Sequence, residues 1–194
     1  MATASDREQI IQAIMEAPAA VHKVVFAHRH PSPSPDFHTE MVNDYYSPIP
    51  YILHLVFRGG AKSTIAEEAV TLMAQCKLLR NAVLTGVSES RAKERLQAVK
   101  FELETNEILL DIFGDQVGDT WSETKIVLKN GVCIQALGRD QSMRGTKHLD
   151  ARPDFLLMDD IEDKVSCATP EARQKLMSHY AGVMIPSLTP PGTF

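Results

Sequence analysis

The feature that most constrains the fold is an apolar run that leads into a glycine pair and then a helical pattern. Residues Tyr51–Phe57 read Tyr-Ile-Leu-His-Leu-Val-Phe, which is typical of a strand buried on both faces. Arg58-Gly-Gly-Ala-Lys-Ser-Thr64 follows, and a helical pattern covers Ile65 to Leu79. A buried strand, a tight turn and a helix in this order predict one unit of an α/β sheet.

This turn has the composition of a phosphate-binding loop, because a glycine pair lets successive N–H groups face an anion and the helix adds its positive dipole end. Lys62 is expected to reach the β- and γ-phosphates, Ser63 to give a hydroxyl to Mg²⁺, and Thr64 to be a second hydroxyl nearby. The match to GxxxxGK[ST] is incomplete, since Val56 and Ala61 replace the first and last glycines. Taken alone, the segment also fits an ordinary turn before a helix. The predicted nucleotide-contacting residues of the loop are Arg58, Gly59, Gly60, Ala61, Lys62, Ser63 and Thr64.

A second motif places acids at the end of an apolar strand. Phe155–Met158 is followed by Asp-Asp-Ile-Glu-Asp at positions 159–163, about 97 residues after Lys62. Four carboxylates in five residues repel one another unless a cation is present, and a magnesium–nucleotide complex would supply it. The pattern predicts an aspartate that binds magnesium and a following acid that acts as general base. A solvated acidic loop is the alternative.

Other patterns alternate between strand and helix, which predicts a mainly parallel sheet flanked by helices. Strands are predicted at 82–85, 125–128, 132–137 and 155–158, with a hairpin around Asn130-Gly131. Helices are predicted at 5–17, 18–26, 37–46, 65–79 and 88–110 and after Thr169-Pro170, while the proline-rich stretch 28–35 is predicted to be a loop.

The composition is typical of a globular protein with reduced cysteine thiols and no membrane-spanning helix. The 194 residues are 44% hydrophobic and 23% charged, and no apolar run approaches the roughly 20 residues that a membrane helix needs. The N-terminus lacks the basic segment and apolar run of a signal peptide, and the three scattered cysteines favour free thiols. The formal charge of −5 slightly disfavours a dedicated nucleic-acid-binding domain, so any DNA contact must come from a local patch or another subunit.

The ordered set of motifs resembles the ATPase domain of tailed-bacteriophage terminase large subunits. Phe-Arg-Gly-Gly-Ala-Lys-Ser-Thr at 57–64 resembles their variant Walker A motif, in which an arginine opens the loop. The segments 87–95 and 138–148 resemble the serine-containing segment after the second strand and the Arg-Gly turn before the Walker B motif at 155–162. The resemblance covers about residues 37–194 and implies an ASCE-type P-loop NTPase fold. The domain boundaries predicted from the sequence are a helical segment and proline-rich linker at residues 1–35 and the P-loop ATPase domain at residues 36–194.

The resemblance also implies roles for individual residues. Arg58 would contact phosphate and sense hydrolysis, while Ser63 and Asp159 would bind magnesium. The family's catalytic glutamate falls on Asp160, which is one methylene shorter, and Glu162 is the alternative base. Arg144 would act in trans as an arginine finger, or else pack as a structural arginine in its turn, with Arg139 and Arg152 as weaker candidates. His38 takes roughly the place of a glutamine that contacts adenine in relatives, although a solvated histidine is the simpler interpretation. Ser88 and Ser90 would contact DNA or transmit motion, or simply cap a helix.

As a whole, the resemblance implies an Mg²⁺-dependent ATP hydrolase that packages viral DNA. It would act on double-stranded DNA in a ring, most simply a pentamer, with a portal protein and a small terminase subunit, in the host bacterial cytoplasm at the procapsid portal. The family continues with a coupling strand and a nuclease domain, so the chain is expected to stop before the last strands of its sheet. Alternatives are a helicase-like DNA-dependent ATPase and a catalytically silent nucleotide-binding assembly module.

Overall fold

A computed structural model describes residues 4–143, 145–163 and 166–190 of the chain. The chain divides into two compact units, one formed by residues 1–76 and 98–117 and the other by residues 77–97 and 118–194. The α-helices are α1 (Ala4–Glu16), α2 (Pro18–Val25), α3 (Asp36–Tyr45), α4 (Lys62–Gln75), α5 (Glu89–Thr105), α6 (Glu107–Phe113) and α7 (Pro170–His179). The strands are β1 (Asn81–Gly86), β2 (Val117–Trp121), β3 (Lys125–Leu128), β4 (Cys133–Gly138) and β5 (Phe155–Met158).

The fold is α/β, with one open five-stranded sheet in the order β2-β3-β4-β1-β5. Strand β1 pairs in parallel with both β4 and β5, and all six of its residues are buried, as expected for a central strand of a parallel sheet. Strand β3 pairs antiparallel with β4 through the turn at Asn130-Gly131, where Gly131 adopts a φ of +92°. The sheet is therefore mixed, and the prediction of a mainly parallel sheet holds only for its β4-β1-β5 part.

Several predicted elements are confirmed, with small shifts in their ends. Strands β1, β3, β4 and β5, helices α2 and α3, and the capped start of α7 all lie where the sequence placed them. The side chain of Thr169 accepts a hydrogen bond from the Ala172 N–H, and Pro170 occupies the first turn. Strand β2 was not predicted, since Val-Gly-Asp-Thr-Trp lacks an alternating apolar pattern.

The long helix predicted over 88–110 is two helices. Asn106 separates them, and its side-chain oxygen accepts the Leu109 N–H as the N-cap of α6. Its side-chain amide donates to the Val25 carbonyl at 2.9 Å and to Glu102 at 2.9 Å. An asparagine that can satisfy a helix end and two buried acceptors at once ends α5 at this point.

The prediction of a buried strand at Tyr51–Phe57 is wrong. The apolar segment 51–57 forms no strand, and most of its large side chains are exposed, with Leu53 at 80% and Leu55 at 86%. A strand becomes buried only when neighbouring strands satisfy its main chain, and the five described strands form their sheet without this segment. The segment therefore reaches the glycine turn without regular secondary structure and largely exposed.

Each unit has its own apolar core. In the first, α1, α2, α4 and α6 pack together through the buried residues Ile14, Val25, Phe26, Leu72, Cys76, Leu109 and Phe113. In the second, β1 packs with α7 and the π-helical turn Tyr180–Met184 through Val83, Met143, Leu176, Tyr180 and Met184. Among the described residues, no helix is both long enough and apolar enough to cross a membrane.

Candidate functional site

The glycine turn before α4 contains two residues with positive φ. Gly59 has a φ of +86° and Ala61 a φ of +56°, so residues on both sides of Gly60 lie in the left-handed region. A Cβ on Gly60 would overlap the side chain of Val56, so any larger residue here would require Val56 to move. Helix α4 then begins at Lys62, and Ile65 N–H donates to the Ala61 carbonyl at 3.0 Å as the first helical bond.

The predicted phosphate ligands all lie at this turn and at the start of α4. Arg58 and Gly59 are exposed, Gly60 is buried, and Ala61 to Thr64 are half-buried. No side chain caps the start of the helix, so its first N–H groups depend on other partners. The positive end of a 14-residue helix with a lysine at its first position favours an anion here.

Ala61 stands where the usual phosphate-loop sequence has its last glycine. The last glycine of the standard motif is replaced here by alanine, and the structure places that alanine in a left-handed conformation that glycine adopts at lower cost. The chain therefore turns directly before α4, with some backbone strain at Ala61.

His38 lies next to the turn. Its Nε2 is 3.2 Å from the Gly60 carbonyl oxygen, while its buried Nδ1 has no hydrogen-bond partner among the described residues. The ring packs edge-on against Phe37, with 4.5 Å between ring centroids. The simpler interpretation of His38 as a solvated loop histidine is therefore wrong, because the residue belongs to α3 and contacts the glycine turn.

A cavity of about 550 Å³ opens beside His38 in the same unit. His22, His30, Ser32 and Glu68 line it together with His38. Glu68 is 1% exposed and lies 2.9 Å from His30 Nε2, and the neighbouring Glu67 accepts a hydrogen bond from Arg29 at 2.6 Å. These contacts hold the proline-rich stretch against α4 and give the cavity a polar wall. No motif in the sequence predicts this cavity.

The acidic strand end in the second unit is built around Asp159. This residue follows β5, is 7% exposed, and donates its N–H to the Thr85 carbonyl at 3.2 Å. Its carboxylate lies 2.8 Å from Arg95 Nε on α5. The predicted magnesium ligand is therefore ion-paired with an arginine that no sequence motif singles out.

Asp160 and Glu162, the two predicted general bases, are both exposed. Asp160 adopts a φ of +52°, so the chain turns sharply directly after Asp159. No hydrogen bond among the described residues fixes either carboxylate, and their order of preference as bases stays a prediction.

The fourth acid, Asp163, is a structural residue. Its carboxylate accepts hydrogen bonds from the Ser166 N–H at 2.6 Å and from Arg139 at 3.0 Å. These bonds, the one from the Ser166 backbone first, lower the pKa of Asp163 to about 2. Arg139 also donates to the Ile161 carbonyl at 3.0 Å, so it pins the acidic turn in place.

The remaining predicted residues, Arg144, Arg152 and Ser88, lie at different places in the chain. Arg144 lies outside the described residues, and Arg152 is exposed. The Ser88 hydroxyl accepts the Arg91 N–H at 3.3 Å, which is the helix-capping alternative for this serine. The glycine turn belongs to the first unit and Asp159 to the second. Within the described ranges, no cluster of three or more histidine, cysteine, aspartate or glutamate side chains is arranged to hold a metal ion.

Burial keeps two of the cysteine thiols protonated, because it raises the pKa of Cys76 to about 12 and that of Cys133 to about 11. Neither thiol is therefore suited to nucleophilic chemistry.

In comparisons with known proteins, no family model matches the chain and no curated protein matches its sequence.

Proposed function

We propose that this chain is a P-loop ATPase, and that it serves as the DNA-packaging motor domain of a terminase large subunit. The observation that carries the proposal is the left-handed turn at Gly59–Ala61, followed directly by the N-terminus of α4 at Lys62. A helix N-terminus behind a glycine turn favours phosphate binding through both N–H groups and dipole. The order of the motifs along the chain supports the terminase assignment.

In this proposal the glycine turn binds the phosphates of ATP. Lys62 contacts the β- and γ-phosphates, Ser63 binds Mg²⁺ with Thr64 as a second hydroxyl, and Arg58 responds to the γ-phosphate. The turn is partly exposed, which leaves it accessible to a ligand from solution. His38 and its polar cavity, in the same unit, are suited to a heterocyclic base, because ring nitrogens can donate to or accept from its edge.

Asp159 is the other proposed ligand of Mg²⁺, besides Ser63. Mg²⁺ needs only one or two protein ligands when phosphates and water complete its shell, so a metal cluster made entirely of protein side chains is not required. When bound, the ion would neutralise the phosphate charge that develops during hydrolysis. Asp160 acts as the general base, with Glu162 as its alternative, and Arg144 is the candidate finger in trans.

The assembly follows from the same proposal. The domain would act in a ring, most simply a pentamer, with a portal protein and a small terminase subunit, and translocate double-stranded DNA in the host cytoplasm. A second candidate is a catalytically silent nucleotide-binding module. The Arg95–Asp159 ion pair favours it, because a magnesium ligand held by an arginine must first be released.

Nucleotide binding by the Lys62→Ala variant tests the proposal. Charge-assisted hydrogen bonds contribute about 1.5–3 kcal/mol, so the affinity for a magnesium-bound, non-hydrolysable ATP analogue should fall about 10- to 100-fold in calorimetric titration. Lys175→Ala, an exposed lysine on α7, is the control and should bind as the wild type does. Equal affinity of the wild type and Lys62→Ala, within a factor of two, would remove the phosphate-loop assignment. ATP turnover with and without DNA then separates the motor from the silent module.

A further inference from the structure

A basic groove of about 820 Å³ lies in the second unit, at the end of the sheet opposite to Asp159. Arg80 directly precedes β1 and Arg152 precedes β5, whereas Asp159 follows β5. Because β1, β4 and β5 run in parallel, their first residues share one sheet edge, and the length of β5 places Asp159 about 15 Å away. The groove is therefore distinct from the acidic strand end.

The groove is positively charged in a chain that is negative overall. Four lysine and arginine residues line it, Lys77, Arg80, Lys147 and Arg152, against the single lining aspartate Asp150. The lining thus has a formal charge of +3, although the whole chain has −5.

Three of these cations are not neutralised within the described chain. Lys77, Lys147 and Arg152 are exposed, and none of them forms a salt bridge with a described carboxylate. Arg80 differs, because its Nε lies 3.5 Å from the carboxylate of Asp154. An uncompensated group of like charges around one groove raises the local potential and attracts anions.

The backbone that presents these cations is held by a set of hydrogen bonds. Asp154 accepts the N–H groups of Arg80 and Asn81 at 2.8 and 2.9 Å. The buried Asn81 side chain donates to the carbonyls of Thr146 at 2.8 Å and Ala151 at 3.2 Å. His148 and Ala151 exchange two main-chain hydrogen bonds, at 3.0 and 2.9 Å. Lys147 and Arg152 therefore flank a short hairpin that is attached to β1.

We propose that the basic groove binds the phosphate backbone of a nucleic acid duplex. One phosphate ion can be satisfied by one or two cations, but this groove presents three cations without a described carboxylate partner, Lys77, Lys147 and Arg152, around a much larger volume. Long lysine and arginine side chains contact successive phosphates without base-specific geometry, so the binding would be independent of sequence. The choice of duplex DNA as the nucleic acid rests on the proposed function, whereas the site itself requires no nucleotide.

The test measures binding of a fluorescein-labelled DNA duplex of about 30 base pairs by anisotropy, over a range of salt concentrations and without nucleotide. The double variant Lys147→Ala/Arg152→Ala removes two groove cations. The control, Arg173→Ala/Lys175→Ala, removes two exposed cations from α7, so both variants have the same net charge. Each lost phosphate contact should reduce the slope of log K against log salt by about 0.9, and the groove variant should therefore lose nearly two units of slope.

We expect the groove variant to bind DNA at least tenfold more weakly at about 0.1 M salt and the control to bind within twofold of the wild type. The proposal fails if the groove variant keeps wild-type affinity, or if both double variants lose affinity equally. It also fails if polyglutamate displaces the DNA at equal charge concentration, since the groove would then prefer an acidic protein. The Lys62→Ala variant should bind DNA normally in this assay, so failure of the phosphate loop and failure of the groove are separable.

Discussion

The glycine turn and the acidic strand end depend on different kinds of structure. The turn follows the exposed apolar segment 51–57 and needs only local geometry, namely positive φ values at Gly59 and Ala61. The acidic strand end follows β5, which pairs residue by residue with β1 and positions Asp159 through that pairing. A turn can form from its own sequence, whereas a strand requires a partner that the local sequence does not identify.

The largest expected difference is between two leucines. Leu84 is 1% exposed in β1, and Leu84→Ala should lower the free energy of unfolding by about 3 kcal/mol, through lost burial and the cavity left behind. Leu55 in the exposed segment is the matched control, and Leu55→Ala should change stability by less than about 0.5 kcal/mol. Urea denaturation measures both. Similar losses at the two positions would mean that the segment 51–57 is buried in solution.

An intermediate effect is expected at Arg95. Its removal leaves the buried Asp159 carboxylate without this counter-ion, so Arg95→Ala should cost about 2 kcal/mol, below the usual cost for a fully buried pair because Arg95 is partly exposed. Arg91 lies one turn earlier on α5 and pairs with Glu94 at 2.7 Å on the surface. Arg91→Ala should cost less than about 0.5 kcal/mol.

Thermal melting of the two arginine variants compares the Arg95–Asp159 ion pair with the solvent-screened Arg91–Glu94 pair. The double variant Arg95→Ala/Asp159→Asn should recover part of the loss, since no uncompensated charge remains. If Arg95→Ala and Arg91→Ala have the same Tm, then the stability of the acidic strand end does not depend on the Arg95–Asp159 ion pair.

The smallest effect is expected in the glycine turn. Ala61→Gly relieves a left-handed alanine, worth about 1–2 kcal/mol, but glycine adds backbone entropy to the unfolded chain. The net result should be stabilisation of up to about 1 kcal/mol, read from the urea midpoint, with nucleotide affinity retained. Ala69→Gly, in the buried middle of α4, is the control and should destabilise the protein by about 1 kcal/mol. Destabilisation by Ala61→Gly would mean that the turn is not strained.

The sequence predicted elements whose signals are local. The Asn130-Gly131 hairpin and the capped start of α7 both depend on residues within a few positions of one another. It did not predict the exposure of the segment 51–57, because an apolar run shows only that a strand would be stable when paired. Nor did it predict the Arg95–Asp159 ion pair or the contact between His38 and Gly60, which the tertiary fold brings together across 64 and 22 residues.

The apolar segment 51–57 also has a consequence for handling the protein. Proteases bind their substrates as extended chains, and exposed segments without regular secondary structure are the usual sites of nicking. This segment presents Tyr51, Leu53, Leu55 and Phe57 at exposures of 63–86%, without a helix or strand to be unfolded first. A protease that prefers aromatic and leucine residues should therefore cut here early and separate α1–α3 from the glycine turn and everything that follows it.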